Sequence, residues 1–434
     1  MMHKATLIIL LGFVSVQAQF WTESASGFTT TSTGASKFHV VNATVAWATG
    51  YDGIVPSNNI QRYTTTSNAG ASWNAGLINL GNTNLGISNI SGVNATTAYV
   101  AAYPRIASNR GGVWITTDTG LTWTKQPTAA FSNAASFTNI VHYFNATDGV
   151  TIGDPINGVW EIYTTTDGGT TYTTVASTNI PVALSGEAGY IAQFAFTGDS
   201  LWFSTSNGRM YHSANKGFTW SVYQSPLNDL GGVNLYGDYS FTNATQGILQ
   251  DNSGNLWRTF NSGATWTLVN ISGIGNPYGD AIAYLPGTSQ LISTGSQTNF
   301  SGSSYSLDNG TTWININAVQ HIDVAIFDEN TAYSGGFSSS NASTGVFKYT
   351  GAVLSTPQVT NTTDFIMYPN PVAQELFYST NLQITQFNIR AMDGSLIKHH
   401  AAGTFIPTAD LAAGVYLLEI STEQNTFSMP FIKN

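Results

Sequence analysis

Short apolar runs, each ended by Gly, Asn, Asp, Ser or Thr, recur along most of the chain. Examples are Val113-Trp114-Ile115, Trp160-Glu161-Ile162-Tyr163, Arg209-Met210-Tyr211 and Asn255-Leu256-Trp257. Runs this short, bounded by turn formers, predict strands rather than helices. Most lead into one eight-residue phrase, clearest at Thr116-Thr117-Asp118-Thr119-Gly120-Leu121-Thr122-Trp123. Its copies begin at Thr66, Thr116, Thr165, Ser213, Thr259 and Ser306, in steps of 50, 49, 48, 46 and 47 residues. A period this steady marks a repeat architecture built from one supersecondary unit.

The phrase reads as the connection between two strands. A side-chain oxygen of Asn68, Asp118, Asp167, Asn215, Asn261 or Asp308 is expected to accept a backbone N–H two residues on, closing an Asx turn. The Gly that follows supplies positive φ without a Cβ penalty, and the closing Trp or Tyr opens the next strand with a large face for packing. These residues resemble the Asp-box, or BNR, repeat of sialidase-like and related β-propellers. The resemblance implies that the six acidic or amide residues brace turns at the outer edge of each blade, away from any active site.

A second landmark precedes each phrase: a turn followed by a short strand, as in Val41-Asn42-Ala43-Thr44-Val45-Ala46-Trp47, Val93 to Tyr99 and Phe144 to Val150. A seventh copy, Phe327 to Tyr333, is followed by Gly345-Val346-Phe347-Lys348-Tyr349 with no phrase behind it. Seven units fit residues 19–353, and Phe20-Trp21-Thr22 is placed to supply the strand the seventh lacks. Pairing the two ends would remove the exposed edges of an open sheet. The expected fold is all-β: a seven-bladed β-propeller with a small C-terminal β-sandwich.

That second domain begins after a Thr/Ser/Pro/Asn linker at 354–364. Residues 365–434 open on Tyr368-Pro369-Asn370-Pro371, continue through a Met392-Asp393-Gly394 turn and Leu411-Ala412-Ala413-Gly414-Val415-Tyr416, and end at Phe431-Ile432-Lys433. They resemble the sorting domain of type IX secretion substrates in Bacteroidetes, with Met429-Pro430 standing where many members carry a basic residue. The resemblance implies that the secretion machinery is a partner and that the protein reaches the outer-membrane surface or the medium. At the other end, His3 and Lys4, the apolar run Ala5 to Val14, and small residues at Val16 and Ala18 read as a signal peptide over 1–18. That run is too short to span a bilayer, so no transmembrane segment is expected in the mature chain.

Composition narrows the chemistry. Only 8% of the 434 residues are charged, 12% are aromatic, 43 are Gly, and the net charge is −10. Thirteen thinly spread Lys and Arg offer no footprint for nucleic acid. There is no cysteine, which removes disulfides and thiolate chemistry. Neither cofactor nor metal is expected, since no His-x-x-x-His or carboxylate cluster occurs. A sialidase needs an arginine triad, and Arg62, Arg105, Arg110, Arg209 and Arg258 do not supply its motif. A pair of carboxylates on the innermost strands would suit another glycoside hydrolase. Glu187, Asp238 and Asp280 are the catalytic candidates, and His142, Glu187, Tyr190, Gln193, His321 and Asp323 the ligand-binding ones. The first expectation is a non-catalytic module binding an extracellular glycan or protein, with the hydrolase as the alternative. Asn42, Asn94, Asn145 and Asn243, each in Asn-Ala-Thr, are expected to shape turns rather than carry glycans.

Overall fold

The computed structural model describes residues 20–273, 275–298, 300–339, 343–350, 365–380, 382–391, 395–422 and 426–434. The expected signal peptide, the 354–364 linker and the Met392-Asp393-Gly394 turn lie outside them. The chain divides into two compact units, Met1–Leu354 and Ser355–Asn434.

The first unit contains seven four-stranded antiparallel sheets. Their innermost strands, blade by blade, are Thr33–Val40, Leu85–Gly92, Thr138–Tyr143, Gly189–Thr197, Gly237–Phe241, Ala281–Tyr284 and Val324–Asp328. Each lies against the next, and the last returns to the first, so the sheets close into a ring. Large aromatics fill the wedges between blades. Trp47 of blade one packs with Trp114 and Trp123 of blade two and donates its indole N–H to the carbonyl of Asn94 at 2.9 Å. Between blades four and five, Trp202 stacks on Phe241 with ring centroids 3.7 Å apart.

Six of the sheets take their outermost strand from the segment after the repeated phrase. The seventh takes Trp21–Ala25, which pairs antiparallel with Gly345–Tyr349. The missing phrase is thus explained: a strand delivered from the start of the chain needs no turn to reach it. Trp21 also donates to Ser303 Oγ at 3.0 Å, tying this strand to blade six.

The repeated turn differs in one respect from the Asx turn expected for it. Asp118 Oδ1 accepts the N–H of Thr122, four residues on, at 2.9 Å. The N–H two residues on, that of Gly120, is taken by Thr116 Oγ1 at 2.8 Å. Asn68, Asp167, Asn215, Asn261 and Asp308 behave alike, binding Ser72, Thr171, Thr219, Thr265 and Thr312. The leading hydroxyl competes successfully because Thr119 and Gly120 both adopt positive φ, 61° and 86°, which folds the glycine N–H back towards it. Next in the turn, the N–H of Thr119 bonds the carbonyl of Thr96 in the turn joining the first two strands of the same blade. Both turns therefore lie on one face of the ring, called here the turn face. The Asn-Ala-Thr segments are turns, as expected: Asn145 Oδ1 accepts N–H groups from Thr147 and Asp148 at 2.8 Å each.

The second unit is a pair of sheets. A three-stranded one comprises Phe365–Tyr368, Glu375–Thr380 and Phe405–Pro407; a four-stranded one comprises Ile384–Arg390, Leu396–Ala401, Gly414–Thr422 and Thr426–Lys433. Phe365, Leu376 and Ile406 of the first and Phe387, Ile389, Leu418 and Ile420 of the second share one core. This is a small β-sandwich.

Candidate functional site

Innermost strands of a ring have one edge without a strand partner, so their backbone N–H groups need other acceptors. Side chains of neighbouring blades provide them. Asn89 Oδ1 accepts from Val141 at 3.0 Å, Asp238 Oδ2 from Ile282 at 2.8 Å, and Asp323 Oδ2 from Phe38 at 3.2 Å. Register shifts at Ser36/His39, Ile87/Asn89 and Gly189/Phe194 turn further side chains towards the axis, the usual consequence of bulges.

The largest of these irregularities links blade four to blade two on the inner side of the ring. Blade four leaves its ladder from Gly189 to Phe194, and Ala192, at φ 54°, carries the chain across. Its N–H bonds Ser88 Oγ of blade two at 3.0 Å. Tyr190 donates to Asp229 at 2.5 Å, and Gln193 to the carbonyls of Leu230 and Gly237 at 2.6 and 2.7 Å. On the turn-face side lies a cavity of about 690 Å³, with Ala192 in its wall. That volume falls in the ~300–1,000 Å³ range of small-ligand sites.

Two imidazoles dominate one side of the cavity. The rings of His39 and His142 are 5.6 Å apart, and His142 lies 4.1 Å from Phe196 and 4.6 Å from Phe144. His142 is buried, yet neither of its nitrogens has a hydrogen-bond partner; nor does Nδ1 of His39. Burial lowers the pKa of His39 to about 4, against the opposing pull of the Gly92 carbonyl. Burial first, then His39, holds His142 well below its ordinary value. Both rings are neutral at physiological pH.

Lys37, Asp238 and Asp323 also line the cavity and, among its described lining residues, carry its only full charges. Asp238 is pushed up to about 6, chiefly by burial; the Ile282 N–H and Lys37 oppose the shift and Asp323 adds to it.

The sequence candidates divide sharply. His142, Asp238 and Asp323 line the cavity; Glu187, Tyr190, Gln193, Asp280 and His321 do not. Glu187 is buried in an ion pair with Arg209. Its carboxylate accepts Arg209 Nε at 2.9 Å, the Thr205 hydroxyl at 2.6 Å and the Leu184 N–H at 2.8 Å. Burial raises its pKa, but these bonds, led by Arg209, outweigh that and leave it lowered. Asp280 is engaged by Ser296 N–H and Oγ at 2.6 and 2.7 Å, and by Tyr236 at 3.2 Å. His321 sits inside blade seven against Phe347, bonded to Ser334 and Asn317 at 2.9 and 3.2 Å, with its pKa lowered to about 3 by burial. Among the described residues no group of three or more His, Cys, Asp or Glu could hold a metal ion. No described helix is long and apolar enough to cross a membrane.

Sequence reasoning missed His39, Lys37 and Phe196. A signal for His39 was present: it stands three residues before Asn42, as His142 stands three before Asn145. Ser91 and Ser240 hold the same place before Asn94 and Asn243, and there each hydroxyl accepts a backbone N–H of the next blade, that of Tyr143 at 2.9 Å and of Tyr284 at 3.0 Å.

The fold defines a seven-bladed propeller with a pocket among its innermost strands. Comparison with known proteins adds the route the chain takes. Residues 366–434 match the family described as "Secretion system C-terminal sorting domain". The C-terminal unit is thus the sorting domain of type IX secretion, and the protein is delivered to the cell surface or extracellular space of a Bacteroidetes bacterium. No curated protein sequence matches the chain. Among solved structures, "YCF48 bound to D1 peptide" is similar with a TM-score of 0.54 and 14% identity, covering 77% of this chain and 98% of that one. YCF48 from Cyanidioschyzon merolae gives 0.53 and 13%, covering 76% and 98%. A GH74 enzyme from Niastella koreensis gives 0.46 and 13%, covering 95% and 67%. Identities this low bear on fold alone.

Proposed function

We propose that the propeller is a non-catalytic binding module acting outside the cell, and that the axial pocket is where it takes its ligand, a glycan or a protein. The observation that carries this reading is the ligand-sized cavity itself, of about 690 Å³, lined by His39, Phe196, Lys37, Asp238 and Asp323. In the same reading, residues 1–18 are the signal peptide, 19–353 the propeller, 354–364 the linker and 365–434 the sorting domain. The repeated turns belong to the Asp-box class. Support for a binding role also comes from the peptide named in the YCF48 title, a likeness of fold only.

The hydrolase alternative retains one favourable observation, the raised pKa of Asp238 beside Asp323. Against it, both carboxylates already serve backbone N–H groups of neighbouring blades, and Glu187 and Asp280 are engaged elsewhere. The test is to incubate the secreted protein with surface-glycan and protein fractions from its habitat. Retention without release of reducing sugar supports the module. Turnover that Asp238→Asn abolishes would establish the hydrolase instead.

A further inference from the structure

Most of the cavity's polar lining is already engaged within the protein. Asn89 bonds Val141 with both ends of its amide, donating to the carbonyl at 2.7 Å and accepting the N–H at 3.0 Å. The two oxygens of Asp323 accept the N–H groups of Phe38 and Val324 at 3.2 and 2.9 Å. Asp238 accepts that of Ile282, and Ser240 that of Tyr284. The hydroxyls of Tyr143, Tyr239 and Tyr284 are bonded to Tyr172, the Gln193 carbonyl and Asn309. His142 has buried nitrogens, and its ring lies among Phe144, Phe194 and Phe196, at 4.6, 5.8 and 4.1 Å between centroids. Most of these bonds join one blade to the next. Of the charged groups in the lining only Lys37 is exposed. What the wall offers a ligand is mainly carbon.

That carbon is gathered at the turn-face end. Val41, Val93 and Phe144 each open the turn after an innermost strand, their N–H groups bonding the carbonyls of Val45, Thr97 and Asp148. Phe196, Pro286 and Phe327 stand at the same end of blades four, six and seven. All six line the cavity, so six of the seven blades give an apolar side chain to one collar. Pro286 is exposed, as are Phe196 and Phe327, at 42% and 38%; the other three are half-buried. Exposed apolar surface gathered in one place marks binding, whereas the same residues scattered would not. The collar also discriminates between ligands. Sugar hydroxyls laid on it would lose water without gaining partners, whereas an apolar side chain gains by leaving water. Building on the axial-pocket reading above, we propose that the ligand is a protein, anchored by a large apolar side chain, aromatic or leucine-like, seated in this collar from the turn face.

The test uses the full secreted protein and saturation-transfer NMR titrations, which register weak binding. Probes are acetyl-Gly-Gly-X-Gly-Gly-amide peptides with tryptophan, phenylalanine, leucine or serine at X, and maltoheptaose and cellotetraose serve as sugar comparators. At least one apolar peptide should bind about tenfold to a hundredfold more tightly than the serine peptide, the worth of burying one large apolar side chain. Its strongest saturation should fall on the side chain at X. Phe196→Ala and Phe327→Ala alter part-exposed rings and should each weaken that peptide about threefold to tenfold. Melting curves check the fold, and either variant carries the test should the other fail to fold. Equal binding of the serine peptide, or no binding by any apolar peptide, overturns the proposal. Sugar binding that Phe196→Ala weakens would refute the protein anchor and keep the pocket as the ligand site. Apolar-peptide binding that both variants leave unchanged would refute the pocket itself.

Discussion

Glu187 offers a decisive contrast between a structural and a catalytic carboxylate. Its side chain is fully buried and Arg209 is only 13% exposed. Replacing Glu187 by Ala would leave a guanidinium without its counter-charge, and the Thr205 hydroxyl and Leu184 N–H without an acceptor. Removing one partner of a buried ion pair typically costs ~3–5 kcal/mol. At roughly 2.1 cal/mol/K per residue, a unit of about 330 residues unfolds with an entropy near 0.7 kcal/mol/K, so the loss in Tm should be about 4–7 °C. Scanning calorimetry on Glu187→Ala, Arg209→Met and the double variant measures it, and the double variant should lose less than the two singles added together. The pH dependence has a defined sign. The folded pKa of Glu187 is lowered, so its contribution is present above the unfolded value of about 4.3 and fades as pH falls through the folded one. Wild type and Glu187→Gln should therefore differ at pH 7 and converge in acid. A Glu187→Gln protein that melts like wild type at pH 7 would refute the structural assignment, the more so if it had lost a hydrolytic activity.

Three further perturbations test other parts of the structure. Thr116→Val removes the acceptor of the Gly120 N–H in a turn where Thr116 is 1% exposed; about 1–3 kcal/mol should be lost in urea unfolding. Trp21→Ala empties a site against Ser303 and Tyr349 at the ring closure and should cost ~3–5 kcal/mol, with light scattering rising on warming as the Gly345–Tyr349 edge is released. Asp238 has its folded pKa raised to about 6, so its ionisation opposes folding from the unfolded value of about 3.9 upwards and fully above 6. Asp238→Asn should therefore raise Tm at pH 8 and leave it unchanged near pH 4.

The ring was legible because its determinants are local and repeated. Six copies of a turn, each needing one hydroxyl, one Asx and one Gly, fix a period, and the period fixes the number of blades. The closure was legible for a related reason: one unit had no turn, and Trp21 stood where a strand was needed. What local reading misjudged was the partner of the Asx oxygen. Which of two competing oxygens receives the Gly120 N–H depends on the paired left-handed residues Thr119 and Gly120, and nothing in the letters favours positive φ at a Thr.

The pocket resisted the same reading because its lining is gathered from innermost strands far apart in the sequence, with no short motif to announce it. Glu187 stood out as a carboxylate in a chain poor in them, but scarcity does not distinguish a free group from a paired one. Its partner Arg209 lies 22 residues away, on the third strand of the same blade. His142 and His39 are separated by two blades in sequence, and only ring closure brings them within 5.6 Å. The general lesson is positional. In a ring of similar sheets the structural residues sit where the repeats agree, at turns and between blades, whereas the cavity wall is reached only by counting back from those turns along each innermost strand. Aligning the blades on Asn42, Asn94, Asn145 and Asn243 puts His39, Ser91, His142 and Ser240 at one register, and all but Ser91 line the cavity. The column beside the repeated turn is therefore the place to look first for what such a ring binds.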